Sequence, residues 1–222
     1  MKSELIVNTR PKSNISENIR TIRTNLQFST ASSKMQTILL SSAISGEGKS
    51  FIAANLAAAF AQTDKKVLLI DADLRRGRVH EIFKMKATKG LSNLLLEKDM
   101  NEMKHYIMKS NVDNLYLITR GTIPPNPSEL LNSDKMEKLF HSLEKIFDYI
   151  IIDGVPAIGL PDALILSKYA DAIMLVCSIK HTPMNALINA KQAFERIGVP
   201  VTGVVVNKVP NIKSNYYTAY YE

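Results

Sequence analysis

The residues with the clearest chemical potential lie in one short segment, Ala43-Ile-Ser-Gly-Glu-Gly-Lys-Ser50. It matches the Walker A pattern for phosphate binding, except that Ala43 takes the position of the first glycine. Its two glycines let successive backbone N–H groups turn inward on an anion, and a helix starting here adds partial positive charge. Lys49 is predicted to contact the β- and γ-phosphates, and the Ser50 hydroxyl to bind Mg²⁺. A glycine-containing surface turn before a helix is the simpler alternative.

Three aspartates follow predicted strands further along the chain. Asp71 and Asp73 come after the apolar run 67–70, and a strand period of two points both side chains the same way. Asp153 ends the apolar run 148–153, as in a Walker B pattern, and is expected to hold Mg²⁺ directly or through water. The first two carboxylates, crowded at the carboxyl end of one strand, indicate a cation between them, and a helix cap with a turn is the alternative.

Predicted strands and helices alternate around these residues. This order predicts βαβ units, hence an α/β fold of the P-loop NTPase type, with a mostly parallel sheet and helices on both faces. We expect an arm at 1–13 that is extended and mobile, one domain at 14–209 and a flexible tyrosine-rich tail at 210–222. The predicted strands are 37–42, 67–70, 115–119, 148–153, 172–177 and 201–206, and the predicted helices 15–28, 51–62, 89–98, 101–110, 128–146, 161–170 and 184–197.

Composition limits the class of protein. The 222 residues are 45% hydrophobic, which suits one domain with a proper core, and the single cysteine, Cys177, lies in an apolar run and indicates a core residue in a reducing compartment. Residues 1–12 lack the apolar region of a leader, and no stretch approaches a membrane span, so we expect a soluble, cytoplasmic protein. The net charge of +7 comes from scattered lysines and arginines, which favours a solvated basic surface over a site for nucleic acid or an acidic membrane face.

The predicted helix 15–28 is amphipathic, with Asn14 or Ser16 as its N-cap. A second set of side chains, spaced three apart, lines one side of the helix: Glu17, Arg20 and Arg23. On pattern alone this side is either an interface or a solvated face with an intrahelical Glu–Arg pair. The residues at core spacing are Ile15, Ile19, Ile22 and Leu26.

The last thirteen residues contain four of the eight tyrosines. They have no periodic apolar face, and a disordered tail is normally poor in aromatic residues. These side chains are therefore either phosphoacceptors or a docking element: Tyr216, Tyr217, Tyr220 and Tyr221. A Mg-nucleotide site supports phosphoryl transfer to water or to a tyrosine hydroxyl. A phenol has a pKa of about 10, so transfer to tyrosine needs a base, for which Asp71 is the candidate.

Six motifs occur in order along the chain. They are Glu17-x-x-Arg20-x-x-Arg23-Thr-Asn-Leu, Gly46-Glu-Gly-Lys-Ser50, Leu69-Ile-Asp-Ala-Asp-Leu-Arg75, Gly121-x-x-Pro-Pro-Asn-Pro-x-Glu-Leu-Leu131, Asp148-Tyr-Ile-Ile-Ile-Asp153 and the tail tyrosines. Together they resemble the motifs of the bacterial tyrosine kinases of capsule and exopolysaccharide synthesis, in the form whose cytoplasmic kinase is separate from its membrane activator. The resemblance covers nearly the whole chain, and its weight comes from the order of all six motifs.

The resemblance implies an ATP-dependent protein-tyrosine autokinase with Mg²⁺ as cofactor, which regulates polysaccharide synthesis and export. Asn207 is expected near the adenine. The implied nucleotide-binding residues are Ser45, Gly46, Glu47, Gly48, Lys49, Ser50, Phe51 and Asn207. The implied catalytic residues are Lys49, Asp71, Asp73 and Asp153, and the implied metal ligands are Ser50, Asp71, Asp73 and Asp153.

The resemblance also implies a set of partners. The tail tyrosines are expected to be phosphorylated in trans within a ring of identical subunits, commonly an octamer, with Glu17, Arg20 and Arg23 packed between subunits. A membrane activator is expected to recruit the kinase to the inner face of the membrane through its cytoplasmic segment. A cognate tyrosine phosphatase is a further expected partner, and no specific nucleic acid is expected.

The chain departs from the family pattern at three positions. Ser45 replaces a proline before Gly46, which costs the loop some rigidity. Gly154 follows Asp153 where the family usually has threonine, so that hydroxyl is missing and the backbone gains freedom. Gly77 replaces a proline and is expected to affect only its loop.

Two other classes of protein compete with the kinase interpretation. Positioning or partition ATPases of the deviant Walker A class share the fold, but carry a lysine five residues before the Walker lysine, where this chain has Ile44. In the second class, a nucleotide-gated interaction module with little catalysis, ATP only sets the oligomer. ATP binding without any phosphotyrosine would favour the module.

Overall fold

The computed structural model describes residues 4–29, 35–97 and 99–210. The four tail tyrosines at 216, 217, 220 and 221 lie outside these ranges, so the structure does not bear on them. No helix within the described ranges is long and apolar enough to cross a membrane.

A seven-stranded sheet in the order β3-β4-β2-β5-β1-β6-β7 organises the molecule. All neighbouring strands pair in parallel except β3, which is antiparallel to β4 at the sheet edge. The mostly parallel sheet predicted from the sequence is therefore confirmed. The strands are β1 Thr37–Ser42, β2 Val67–Asp71, β3 Met108–Lys109, β4 Leu115–Ile118, β5 Tyr149–Pro156, β6 Ala172–Ser178 and β7 Gly203–Asn207.

Nine α-helices and two 3₁₀ turns occupy the described part of the chain. Most connect strands, as expected for crossovers between parallel strands. The helices are α1 Ile6–Thr9, α2 Asn14–Ser29, α3 Lys49–Ala61, α4 Val79–Ile82, α5 Leu91–Leu96, α6 Pro127–Leu131, α7 Asp134–Leu143, α8 Asp162–Leu166 and α9 Met184–Glu195, and the 3₁₀ turns are Met100–His105 and Ser167–Tyr169.

The sheet separates two apolar cores. Successive strand residues point to opposite faces, so in β1 the side chains of Ile38 and Leu40 join one core and Leu39 joins the other. Helices α1 to α4 cover the first face, and α5 to α9 cover the second. Because both faces are covered, the central strands are continuously apolar rather than alternating.

Helix α3 lies beneath α2 and against the sheet, and most of its residues are buried. Its small alanines allow close packing on both sides, since each adds a methyl group and loses no side-chain entropy on folding. Asn55 is the polar exception in the middle of this helix and is completely buried. Because α3 begins at Lys49, its packing also fixes the position of Lys49 at the end of the phosphate loop.

The extended, mobile arm predicted at residues 1–13 is wrong in its described part. Ile6–Thr9 form α1, and Leu5 and Val7 are buried against the first core. Asn55 explains the docking: its Oδ1 accepts the Val7 N–H at 3.0 Å and its Nδ2 donates to the Glu4 carbonyl at 2.9 Å. A four-residue helix is too short for periodicity to reveal it.

Helix α2 confirms the predicted amphipathic segment, with differences at its start. Ile19 and Leu26 are buried, but Ile15 is 48% exposed and is not a core residue. The cap is Ser13 rather than Asn14 or Ser16, because Ser13 Oγ accepts the Ser16 N–H at 3.2 Å.

Three predicted helices differ from the structure. The helix predicted at 101–110 is instead the 3₁₀ turn followed by β3, whose two residues complete the sheet edge. The helix predicted at 128–146 is broken into α6 and α7, since Ser133 has extended backbone and starts a new helix. The helix predicted at 161–170 divides into α8 and the turn Ser167–Tyr169.

Candidate active site

The phosphate loop connects β1 to α3 at the centre of the sheet's carboxyl edge. Gly46 and Gly48 have φ values of 81° and 96°, in the left-handed region that favours glycine. Gly48 is also the N-cap of α3, so the free N–H groups of this thirteen-residue helix open at the loop. Lys49 begins the helix and is only 8% exposed. The predicted loop therefore has the backbone form of an anion-binding site.

Glu47 fixes the loop from inside. It is completely buried, and its Oε2 accepts the Ile44 N–H at 3.1 Å across the loop. Its Oε1 accepts a short hydrogen bond from the Thr182 hydroxyl, which itself accepts the Ser178 N–H at 2.8 Å. Glu47 was expected among the nucleotide-binding residues, but its carboxylate faces the protein. Its side chain shapes the loop, and only its backbone remains for a nucleotide.

The end of β7 supports the loop from the other side. Asn207 Nδ2 donates to the Glu47 carbonyl at 2.9 Å, and Lys208 Nζ donates to the Gly46 carbonyl at 2.6 Å. A Cβ at Gly48 would lie 2.2 Å from Asn207 Nδ2, so a side chain at that position would displace the amide. The structure thus brings Asn207 to the loop, while its predicted contact with adenine stays a prediction.

The remaining predicted loop residues differ in their exposure. Ser45 is exposed in the loop, and Ser50 is half-buried in the first turn of α3. Phe51 is also half-buried, and its ring packs on the first apolar core. The predicted contact of Phe51 with nucleotide is therefore left to its backbone, near the start of the helix.

Asp71 and Asp153 lie side by side. They are register partners on the parallel strands β2 and β5, and neither side chain is exposed. Asp71 Oδ2 accepts the Val79 N–H at 3.0 Å, but Asp71 Oδ1 and both oxygens of Asp153 have no hydrogen-bond partner within the described ranges. Two adjacent buried carboxylates with three unpartnered oxygens form an anionic site that attracts a cation.

The electrostatics agree with this geometry. Burial and the neighbouring Asp153 charge raise the pKa of Asp71 well above its ordinary value. Burial also raises the pKa of Asp153 to about 6, against the opposing effects of the Lys49 ammonium and of the neighbouring Ser50 hydroxyl. Ionising both carboxylates therefore costs free energy, which a bound divalent cation would offset.

Asp73 lies differently from the prediction. Strand β2 ends at Asp71, so Asp73 is in the following turn rather than on the same strand face. Its Oδ1 accepts the backbone N–H groups of Arg75 at 3.2 Å and Arg76 at 2.8 Å. The turn role considered as the alternative is thus present, and the side chain is half-buried beside the Asp71 site.

The residues present fit Mg²⁺ in a limited way. Within the described ranges, no three carboxylate, histidine or cysteine side chains gather into a ready-made metal cage. Mg²⁺ usually binds through one or two carboxylates together with substrate phosphates and water, and the unpartnered oxygens of Asp71 and Asp153 meet that need. Ser50 supplies a hydroxyl from the first turn of α3.

Two of the departures from the family pattern have structural consequences. Gly154 lies in a β-bulge, where Gly154 and Val155 of β5 oppose the single residue Ser41 of β1. A Cβ there would be 2.9 Å from the Leu40 carbonyl oxygen, so the glycine fits a close backbone approach. A Cβ at Gly77 would lie 2.2 Å from Asp71 Oδ1, and the expectation that Gly77 affects only its loop is wrong.

The helix residues predicted at a subunit interface separate into two environments. Glu17 and Arg20 form an exposed pair on α2 with Arg20 Nη1 2.6 Å from Glu17 Oε1. Arg23 instead turns inward and donates from Nη1 to the Ala59 carbonyl of α3 at 2.8 Å. The intrahelical pair is therefore present, and an interface role for the three residues stays a prediction.

Sequence reasoning missed two contributors to the site. Thr182 lies 135 residues from Glu47, and no motif marks a hydroxyl in that loop. Arg120 follows β4, and its charge opposes the rise in the Asp71 pKa. Its Nε and Nη1 atoms are buried without a hydrogen-bond partner in the part of the chain described. Only the register of neighbouring strands, which sequence alone does not give, brings it near.

Known proteins share this fold and much of the sequence. A family profile described as an AAA domain matches residues 35–198. The tyrosine-protein kinase YwqD of Bacillus subtilis is 41% identical over 220 residues, covering 99% of this chain and 92% of YwqD. The crystal structure of the chimerical protein CapA2B2 has a TM-score of 0.90 at 37% identity, covering 95% of this chain and 92% of the other. The kinase domain of the Escherichia coli tyrosine kinase Etk has a TM-score of 0.86 at 32% identity, covering 93% and 82%. With its phosphate loop and paired aspartates on this sheet, the chain belongs to the bacterial tyrosine kinases.

Proposed function

We propose that this chain is an ATP-dependent protein-tyrosine autokinase that transfers the γ-phosphoryl group to tail tyrosines of a neighbouring copy. The observation that carries the proposal is the register pairing of Asp71 and Asp153 beside the Lys49 end of α3. This arrangement places anionic groups for a metal and a proton acceptor next to a loop suited to phosphates. Family membership and the kinase names of its relatives favour tyrosine as the acceptor.

Each residue has a role that follows from its position. The N–H groups of the loop and the Lys49 ammonium bind the phosphate chain and stabilise charge that develops during transfer. Asp71 accepts the proton of the attacking phenol through Oδ1, the oxygen that has no hydrogen-bond partner in the described part of the chain. Mg²⁺, when bound by Asp71, Asp153 and Ser50, would neutralise the phosphate oxygens. Asp73 sets the geometry of the adjoining turn and completes the anionic edge.

The expected partners belong to the same proposal. We place the kinase in a ring of identical subunits, commonly an octamer, with Glu17 and Arg20 on the exposed side of α2 available to a neighbour. A membrane activator would recruit it to the inner face of the membrane through a cytoplasmic segment, in the service of capsule or exopolysaccharide synthesis. A tyrosine phosphatase would reverse the modification.

The positioning-ATPase alternative is not favoured. Its signature lysine would stand at Ile44, whose backbone N–H is used by Glu47 inside the loop. A curated relative at 41% identity carries the name of a tyrosine kinase. The interaction-module alternative remains separable by experiment, because it binds ATP and forms no phosphotyrosine.

Intact mass and phosphotyrosine mapping of the full chain with Mg-ATP test the proposal, with and without candidate activator segments. Label on Tyr216, Tyr217, Tyr220 or Tyr221 should appear in the wild type and vanish in Lys49→Met and in the variant with all four changed to Phe. Lys65→Met, a surface lysine 3.8 Å from Asp148, is the matched control and should label normally. Light scattering on the same samples should give a mass well above the 24.8 kDa of one chain. ATP hydrolysis without phosphotyrosine under every condition would overturn the proposal.

A further inference from the structure

A partly buried ion pair connects three segments at the carboxyl edge of the sheet. Asp162, the first residue of α8, is 1% exposed, and its Oδ2 accepts from Arg75 Nε at 2.9 Å. Its Oδ1 accepts from Arg75 Nη2 at 3.4 Å and from the Ser128 hydroxyl at 2.5 Å. Ser128 in turn accepts from Arg75 Nη2 at 3.2 Å. Arg75 thus bridges a carboxylate and a hydroxyl that lie 34 residues apart in sequence.

These three residues come from segments that flank the candidate site. Arg75 belongs to the turn after β2, two residues beyond Asp73. Asp162 starts the helix that follows β5, the strand containing Asp153, and Ser128 lies in α6 within the proline-rich motif. The cluster therefore joins the turn that contains Asp73 to the segment after Asp153. It also gives the proline-rich motif a structural connection to the site.

Asp73 depends on the same turn for its orientation. Its Oδ1 accepts the backbone N–H of Arg75 at 3.2 Å and of Arg76 at 2.8 Å, and its carbonyl accepts the Gly77 N–H at 2.7 Å. The backbone of Arg75 thus contacts the Asp73 carboxylate while the side chain of Arg75 is held by Asp162. A rotation of this turn would move both contacts together.

The residue types in this cluster suit it to orienting neighbouring side chains more than to stabilising the fold. This ion pair contributes little net stability, because the Asp162 carboxylate loses its hydration while the Arg75 side chain stays partly exposed. A bidentate guanidinium, however, fixes direction at both ends. Side chains that orient a metal-binding carboxylate typically change metal affinity by 10–100-fold when they are lost.

We propose that Asp162 and Ser128 are positioning residues of the kinase, which act through Arg75 to hold the Asp73 carboxylate in the direction needed for the Mg-nucleotide complex. This inference rests on the proposed role of Asp73 at the metal and deepens it. It assigns a function to the arginine of the Asp-x-Asp-x-Arg segment and to the serine of the proline-rich motif.

The test is a Mg²⁺ titration of nucleotide binding to the full chain, followed with a fluorescent ATP analogue and requiring no turnover. Asp162→Asn should raise the half-saturating Mg²⁺ concentration roughly tenfold, and Ser128→Ala by a smaller factor, with nucleotide affinity in the absence of Mg²⁺ unchanged. Arg75→Gln should match Asp162→Asn, and the double variant should be no worse than either single one. Glu195→Gln, which removes a carboxylate from an exposed pair on α9, is the control and should leave the titration unchanged.

Asp73→Asn separates the two possible failures. If Asp73→Asn shifts the Mg²⁺ requirement but Asp162→Asn and Ser128→Ala leave it within twofold of the wild type, the cluster is only structural and the inference is overturned. If Asp73→Asn itself has no effect, the proposed role of Asp73 at the metal is what fails. Should Asp162→Asn not fold, Ser128→Ala still decides the question, because it removes one hydroxyl and leaves the ion pair.

Discussion

The candidate site has two halves, the phosphate loop and the paired aspartates on β2 and β5. The protein holds these two halves in opposite ways. In the phosphate loop, the buried Glu47 carboxylate receives a backbone N–H and the Thr182 hydroxyl, and Asn207 supports the loop from β7. At the neighbouring strand ends, Asp71 and Asp153 are equally buried, yet three of their four oxygens have no hydrogen-bond partner in the described ranges. Hydrogen bonds within the protein satisfy the loop, whereas the paired carboxylates keep buried oxygens without a donor in the part of the chain described.

This difference indicates that the two halves of the site make opposite contributions to the stability of the fold. Hydrogen bonds within the protein preorganise the loop, so it can receive phosphates without rearrangement. The two carboxylates repel each other in a region of low hydration, so their proximity costs stability that a bound cation offsets. Substitutions in the loop supports should therefore destabilise the fold, whereas neutralising one carboxylate should stabilise it and remove activity.

The largest expected effect comes from Asp153→Asn. We expect phosphotyrosine formation to fall at least roughly 100-fold, because a charged contact to the Mg-nucleotide complex is lost. The free energy of unfolding should rise by about 1 kcal/mol, since a neutral amide costs less to bury beside Asp71 than a second carboxylate. Quantitative phosphotyrosine yield and urea unfolding measure the two quantities.

Glu195→Gln serves as the control for Asp153→Asn, because it removes a carboxylate from an exposed ion pair on α9. Neither its activity nor its unfolding free energy should change measurably. An Asp153→Asn variant that is less stable than the wild type would contradict the comparison, since it would mean that the protein stabilises both carboxylates.

Much of this arrangement was predictable from sequence because it depends on local signals. Long apolar runs gave the central strands, and the glycine–lysine–serine pattern gave the phosphate loop together with its helix. Asp71 and Asp153 were predictable as neighbours because the carboxyl ends of parallel strands share one edge.

Other features depend on contacts that no local pattern encodes. The partnership of Glu47 with Thr182 spans 135 residues, and that of Arg75 with Asp162 spans 87. The strand period placed Asp73 on β2, but hydrogen bonds from the turn backbone to its carboxylate end the strand earlier. Short elements such as β3 and α1 are formed by packing and contain too few residues for periodicity.

A second prediction concerns the loop half of the comparison. Thr182→Val removes the hydroxyl that donates to Glu47 and accepts the Ser178 N–H, so both groups lose a partner. The variant should lose about 1–3 kcal/mol of unfolding free energy. Nucleotide should bind about tenfold more weakly, equivalent to about 1.4 kcal/mol, because the loop must then order on binding. Calorimetric titration with ADP measures the affinity.

Thr202→Val is the matched control for Thr182→Val. The Thr202 hydroxyl accepts the Ile173 N–H at 3.0 Å near the opposite end of β6, far along the strand from the loop. This variant should lose stability without any change in nucleotide affinity. Equal affinity losses in the two variants would show that the loop responds to general destabilisation, and the specific role of Thr182 would be rejected.

The smallest expected effect concerns the bulge that follows Asp153. A methyl group at Gly154 would lie 2.8 Å from Leu39 Cδ1 and 2.9 Å from the Leu40 carbonyl oxygen. Because the second neighbour is backbone, Gly154→Ala should shift β5, lowering the unfolding free energy by about 1–3 kcal/mol. The shift moves Asp153 and leaves the loop supports in place, so kinase activity should fall several-fold while ADP affinity stays near the wild-type value.

Adding Leu39→Val to Gly154→Ala relieves the side-chain contact alone and should restore only part of the activity. Full restoration would assign the constraint to Leu39 packing, and an ADP affinity that falls with activity would mean that the two halves of the site are not held independently.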